Sequence, residues 1–175
     1  VAPYHVDALL PEDTPDYIQT AYQSLHYHAI TTVYLRYAQA VKLPAPLTGF
    51  ADGAAQWVLH REALGLPDNE VAVVISVSDC TEAWKDKDLA EKIHADIKRI
   101  CPDLDKPEAV RIITEKRATT AATVDFVQPD FSWLHHRRIY PAGDYLHPRY
   151  PATLEAAVQS GFAAAEKLML DLQVE

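Results

Sequence analysis

The sequence predicts an α+β fold, a mixed, largely antiparallel sheet of about five strands with flanking helices. Three observations carry this expectation. Val71 to Val77 is an unbroken apolar, mostly β-branched run, the pattern of a strand buried on both faces near the middle of a sheet. Thr48–Ala51 and Gln56–His60 flank Asp52-Gly53, a hairpin signal that joins two strands antiparallel. Between and after these runs the apolar spacing changes from two residues to about three and a half, so strands give way to helices.

In chain order, Val1 to Leu10 reads as a short strand remnant and a turn. Pro15 to Leu25 carries Tyr17, Ile18, Ala21, Tyr22 and Leu25 near helical spacing and is predicted to be a helix. Ala29 to Tyr37 is β-branched and aromatic, hence a strand, which Leu43-Pro44-Ala45-Pro46 interrupts. The hairpin follows, then a turn at Gly65 to Asn69 and the strand Val71–Val77. Asp79 to Cys101 is predicted to be a helix with Trp84, Leu89, Ile93, Ile97 and Ile100 inside and alternating Lys and Asp outside, stopped by Pro102. That charge run serves to solvate the outer face. Val110 to Thr119 is a further strand, and Asp125 to His136 an irregular loop. Ile139 to Asp144 reads as a short strand entering a turn, Leu146 to Tyr150 as a loop, and Pro151 or Thr153 as the opening of a helix to about Leu172.

Composition bounds the function classes. The 175 residues carry a formal net charge of -9, which argues against nucleic acid and anionic membrane as partners of the bulk surface. Two cysteines, Cys80 and Cys101, form neither a CxxC pair nor a disulfide framework and are expected to be free thiols in a reducing compartment. No apolar run reaches the ~20 residues of a membrane span, and no signal peptide is visible. The chain opens Val-Ala-Pro-Tyr without Met, so it is expected to be cut from a longer polypeptide.

The terminal segment offers chemistry. Tyr150-Pro151-Ala152-Thr153-Leu154-Glu155 opens a helix whose first amides are free of intrahelical partners and, with the macrodipole, favour negative charge. Behind them Ala156, Ala157, Ser160, Gly161, Ala164 and Ala165 allow close approach of another backbone or of a flat ligand; tight packing against protein explains the same pattern. Gly143-Asp144 precedes this helix, pairing a residue that permits close approach with a carboxylate that accepts from hydroxyls or water.

Ile139-Tyr140-Pro141-Ala142-Gly143-Asp144, a short loop, and Tyr150 to Ala165 together resemble the C-terminal flavin segment of FAD-dependent amine oxidases and carotenoid-type desaturases. More narrowly they resemble the squalene-associated FAD-dependent desaturases, or hydroxysqualene dehydroxylases, of hopanoid synthesis. Gln56-Trp57 and Glu115-Lys116-Arg117-Ala118-Thr119 extend the resemblance to most of the chain from about Ile30. It implies a substrate-domain portion at 1–135 and an FAD-binding strand–turn–helix at 136–175. Gly143 and Asp144 would then meet the ribityl and phosphate part of FAD, and Pro151, Ala152, Thr153 and Leu154 the pyrimidine edge of the flavin. It also implies a hydrophobic isoprenoid substrate and a cytoplasmic enzyme, peripheral to the inner membrane as an option. Amine oxidases and other desaturases share the segment, and a non-catalytic binding or assembly module is an alternative of another class. The glycines, Gly49, Gly53, Gly65, Gly143 and Gly161, form no GxGxxG, so the nucleotide-binding domain is expected on a further stretch of polypeptide and FAD is expected to be absent from this chain alone. Without that domain, the last helix should expose an apolar face and drive self-association.

The remaining candidates have structural alternatives. His26 and His28 form an HxH with no ligand cluster beside it, so surface or core histidines compete with a metal site. His135-His136-Arg137-Arg138 is either a phosphate contact or a solvated loop. Arg117 either faces a flavin or substrate or pairs with a carboxylate. Tyr34, Phe50, Trp57 and Trp133 either line a tunnel for a long hydrocarbon or belong to the core.

Overall fold

The computed structural model describes residues 1–78, 86–124 and 130–173. Its elements are α1 (Asp16–Gln23), β1 (Tyr27–Arg36), β2 (Leu47–Gly49), β3 (Trp57–His60), β4 (Glu70–Ile75), α2 (Asp86–Lys98), β5 (Ala109–Thr120), α3 (Ser132–His136) and α4 (Leu154–Gln173), with short 3-10 turns at Pro3–His5, Arg61–Leu64 and Asp144–Leu146. The chain forms two compact units, residues 28–119 and residues 1–27 with 120–175. This geometric division differs from the functional one drawn at residue 135, which concerns contacts with cofactor and substrate.

Residues 28–119 hold a five-stranded sheet in the order β2-β3-β4-β1-β5. The β2–β3, β3–β4 and β4–β1 pairings are antiparallel, as the fold class requires. β4 is central because its sequence has no polar face to offer solvent: Val71, Ala72, Val73 and Ile75 are all buried. In β1 the alternation places Ala29, Thr31, Val33 and Leu35 inside. Val33 and Leu35 pack with Val58, Val71, Val73 and Ile75 against Leu89, Ile93 and Ile97 of α2, the predicted inner stripe. Trp84 and the expected start of that helix at Asp79 lie outside the described residues, as does Cys80. Gln56 extends its side-chain oxygen to the Ser76 amide at 2.8 Å and so ties the hairpin to the end of β4.

Register sets the other sheet face. Tyr34 and Leu59 both lie opposite Ala72, Trp57 and Thr32 both lie opposite Val74, and Leu47 lies opposite Leu59. Partners across an antiparallel ladder share a face, so these side chains form one apolar and aromatic surface turned away from α2. Trp57 and Leu47 on it are about half exposed.

The hairpin connection is held by α2. The Asp96 carboxylate accepts from the Ala54 and Ala55 amides at 2.7 and 2.9 Å, and Arg99 reaches Asp52 at 2.8 Å. Gly53 has φ of +100°, and a Cβ there would stand 2.5 Å from the Asp96 oxygens.

In the other unit Ile18, Tyr22, Leu134 and Tyr145 form a core, flanked by Val6, Leu10, Leu25, Phe131, Trp133, Ile139 and Leu146. Three expectations fail here, and a fourth resolves between its two alternatives. Val1 to Leu10 forms a 3-10 turn and bends, because Pro3 favours a helical start and, among the described residues, the segment pairs with no strand. Ile139 to Asp144 is not a strand: no ladder partner exists among the described residues, Pro141 lacks a donor, and the Gly143 amide is taken by Ser160 Oγ at 2.8 Å. The stretch Asp125 to His136 is not wholly irregular, since Ser132–His136 is helical over the buried Leu134; 125–129 lie outside the described residues. Of the two predicted openings of the last helix, Thr153 holds and Pro151 does not: α4 begins at Leu154 with Thr153 as its cap.

Candidate functional site

The Gly143-Asp144 turn and the start of α4 converge in the unit formed by residues 1–27 and 120–175. Gly143 is needed for space: its backbone is extended, but a Cβ would overlap the Tyr145 ring. That ring is buried, donates its hydroxyl to Tyr22 at 3.3 Å, and meets the Tyr22 ring edge-on. Burial, then the Tyr22 hydrogen bond, pushes the Tyr145 phenol far up from its ordinary value; burial also raises that of Tyr22. Both therefore stay protonated and uncharged near neutrality. The Asp144 carboxylate makes no hydrogen bond or ion pair with protein among the described residues, so its oxygens are open to hydroxyls or water.

Thr153 is the N-cap of α4. Its Oγ1 accepts from the Ala156 amide at 3.1 Å and donates to the Tyr150 carbonyl at 2.9 Å. Ala152 sits in the left-handed region with φ of 62° and donates its amide to the Asp144 carbonyl at 3.2 Å. That amide is occupied, whereas those of Leu154 and Glu155 have no protein acceptor among the described residues. The Leu154 side chain is 90% exposed. Glu155 places a carboxylate in the first turn, where it complements the dipole and accepts from Gln159 at 2.7 Å. Pro151 lies two residues before the helix and shapes the approach rather than its first turn.

A latch fixes this approach. His147 and Tyr150 stack with ring centroids 4.0 Å apart. His147 Nδ1 lies 3.2 and 3.3 Å from the Arg149 and Tyr150 amides and accepts from both. Its Nε2 therefore bears the proton and donates to Gln159 at 2.9 Å, on which the Tyr150 hydroxyl also converges at 2.9 Å. Ser160, Tyr145 and Gln159 were not singled out as site residues from sequence; the 17-residue separation of Gly143 and Ser160 gives no local signal.

Beyond its first turns α4 is largely uncovered. Leu154, Val158, Phe162, Met169 and Leu172 are each at least half exposed and fall along one side by their spacing. Ala156 is its one buried residue.

Other candidates separate. Trp57 and Tyr34 share the exposed sheet face, whereas Phe50 packs on the α2 core and Trp133 on the core around Tyr22. The 135–138 segment is engaged locally: His135 stacks on Tyr140, Arg137 pairs with Asp13 and lies over Trp133, and His136 meets the Ser132 carbonyl. Among the described residues no group of three or more His, Cys, Asp and Glu could hold a metal, His26 and His28 included. Cys101 is a free thiol donating to the Lys42 carbonyl at 3.1 Å, and burial pushes its pKa up. Among the described residues no helix is long and apolar enough to cross a membrane.

Residues 2–169 match the family model of flavin containing amine oxidoreductases. The chain is 28% identical over 172 residues to a hydroxysqualene dehydroxylase of Zymomonas mobilis, covering 92% of this chain and 36% of that protein. It is 32% identical over 147 residues to a hydroxysqualene dehydroxylase of Rhodopseudomonas palustris, covering 82% and 33% respectively. A solved Exiguobacterium structure carrying the name protoporphyrinogen oxidase superposes with a TM-score of 0.59 at 17% identity, over 95% of this chain and 40% of that one, a likeness of fold. The chain thus spans about a third of the length of the curated relatives it matches.

Proposed function

Because this chain belongs to the flavin containing amine oxidoreductase family, we propose that it is the C-terminal part of an FAD-dependent oxidoreductase acting on an isoprenoid such as hydroxysqualene. The observation that carries the flavin half of this reading is the capped start of α4. There the Leu154 and Glu155 amides are without protein acceptors, beside an Asp144 carboxylate in the same condition. These groups fit the polar parts of FAD: hydroxyls and ordered water for Asp144, and an electron-rich heterocycle edge for the helix start. Gly143 and Asp144 hold the ribityl–phosphate end. Pro151, Ala152 and Thr153 shape the turn that presents Leu154, and the Ala152 amide braces the turn through Asp144 instead of facing the cofactor.

The flavin supplies the two-electron chemistry when bound. This chain's part is to orient it and to bias its charge. A helix start stabilises adjacent negative charge by ~0.3–2 kcal/mol, which for a two-electron couple is at most some tens of millivolts at ~30 mV per 1.4 kcal/mol. Glu155 in the same turn works against that bias. The exposed sheet face of Trp57, Leu59, Val74 and Tyr34 suits a long hydrocarbon and supports the isoprenoid substrate.

Co-expression tests the reading. The chain alone is expected to purify colourless. Paired with an N-terminal half bearing GxGxxG from a hydroxysqualene dehydroxylase, it should yield a yellow species that dithionite bleaches. Asp144→Ala should lower flavin occupancy, and so should Leu154→Pro, which suits the first helical position but removes its free amide. Colourless preparations from every pairing, with both halves soluble and associated, would refute the assignment.

A further inference from the structure

At one end of the exposed sheet face, within residues 28–119, lies a cleft of about 340 Å³ lined by Tyr34, Arg36, Arg61, Glu70, Val110 and Arg111. Three guanidinium groups against one carboxylate leave it a net charge of +2, in a chain whose total is -9. The strands bring these charges together: Arg36 at the end of β1 stands opposite Glu70 at the start of β4, and Arg111 arrives on β5, the next strand in the sheet. Arg61 follows β3, pairs with Glu70 and lies over the Tyr34 ring at 5.4 Å from its centroid. Its charge is thereby spent. Arg36 and Arg111 are exposed and make no ion pair among the described residues. Glu70 is the one carboxylate in the lining, and neither Glu62 nor Glu108 makes an ion pair with Arg36 or Arg111 among the described residues.

Several arginines around one concavity form the arrangement that recognises phosphate, through paired N–H groups with fixed geometry. The adjoining surface is apolar, running from Tyr34 through Ala72 and Leu59 to Leu47, with Val74 and Trp57 in the next row. We propose that the cleft binds a phosphate group and the sheet face takes an attached apolar chain, so that the ligand is a phosphate-bearing amphiphile. The cleft is built without the flavin segment, but its apolar extension is the sheet face assigned above to a hydrocarbon, and to that extent the inference rests on that reading.

The test uses the whole 175-residue chain. Inorganic pyrophosphate, titrated by calorimetry at low salt, probes the cleft alone. Co-sedimentation with vesicles of phosphatidylcholine, or of equal parts phosphatidylcholine and phosphatidylglycerol, probes a lipid headgroup. Binding of pyrophosphate supports a soluble phosphorylated ligand, and retention on the anionic vesicles alone supports a lipid. In either case the double variant Arg36→Gln/Arg111→Gln should weaken binding about tenfold or more. Glu70→Gln, which releases Arg61 and removes the cleft's one negative charge, should strengthen it severalfold, a gain that a merely structural role would not produce. Circular dichroism and melting establish that each variant is folded. Failure of both probes, unchanged binding by the double variant, or weaker binding by a folded Glu70→Gln variant would overturn the proposal.

Discussion

Replacing Asp96 isolates the most concentrated polar contact in the sheet unit. Its side chain is 13% exposed, and it holds the amides of Ala54 and Ala55, residues that are 8% and 1% exposed. Asp96→Ala leaves both donors without an acceptor, at about 1–3 kcal/mol each, so the loss should be about 2–6 kcal/mol. Asp96→Asn keeps an acceptor oxygen but not its charge; charge-assisted hydrogen bonds are about twice as strong as neutral ones, so its loss should be about half as large. The Arg99 pairs contribute little to the difference, because Arg99 is half exposed and such pairs are worth at most ~1 kcal/mol. Gly53 makes the reasoning sharper. A Cβ there meets the anchored carboxylate, so Gly53→Ala must either break the two amide bonds or distort the turn. With Asp96→Ala already present that collision is gone, and only the backbone preference, ~1–2 kcal/mol, remains. The two substitutions should therefore be non-additive by about 1 kcal/mol or more. Urea unfolding of the wild type, the three single variants and the double variant provides the numbers. Equal losses for the Asn and Ala variants, or a Gly53→Ala cost that Asp96→Ala does not change, would refute the assignment of the bonds.

Three further outcomes are expected. Tyr22, Tyr37 and Tyr145 all have pKa values raised above 10.0, burial being the largest cause for each. A folded value above the unfolded one means that the unfolded state loses protons first, so these groups stabilise the fold below about pH 10 and that stability drains as pH rises further. Melting temperature against pH should fall above that point, and less steeply for Tyr37→Phe. Thr153→Ala should destabilise by about 1 kcal/mol through loss of the cap, whereas Ala152→Gly, relieving φ of 62°, should stabilise by up to ~1 kcal/mol after the entropy of the unfolded chain is counted; thermal melts report both. Finally, the uncovered side of α4 should make the isolated chain self-associate, with Phe162→Lys and Met169→Glu shifting it toward monomer in light scattering. A monomer at high concentration would count against this.

What the residues disclosed depended on whether one element could satisfy itself. β4 was legible because a run with no polar face can only be central, and α2 because Leu89, Ile93 and Ile97 mark a stripe without reference to anything else. The segment Ile139–Asp144 was not legible as it folds: a strand is defined by its neighbour, and here the Gly143 amide goes to Ser160. Thr153 stood in sequence beside Pro151 as an opening of α4, but the left-handed Ala152 before it did not, since alanine rarely takes that backbone and nothing local announces it. At the candidate site, Gly143 and Asp144 stood out in sequence, but the reason for the glycine, the Tyr145 ring, required coordinates. Among the aromatics, Phe50 and Trp133 could be separated from Trp57 and Tyr34 only once register had assigned faces.

Tyr22 and Tyr145 touch across 123 residues of chain, so during synthesis the core they share cannot close until that stretch has followed Tyr22 out of the ribosome. At ~5–20 residues per second that interval is roughly 6–25 s. During it the sheet unit, whose residues lie between them, has time to fold, and Ile18 and Tyr22 remain open to holding chaperones. Stalled chains that end shortly before Leu134 should therefore resist protease over residues 28–119 while residues 1–27 are cut.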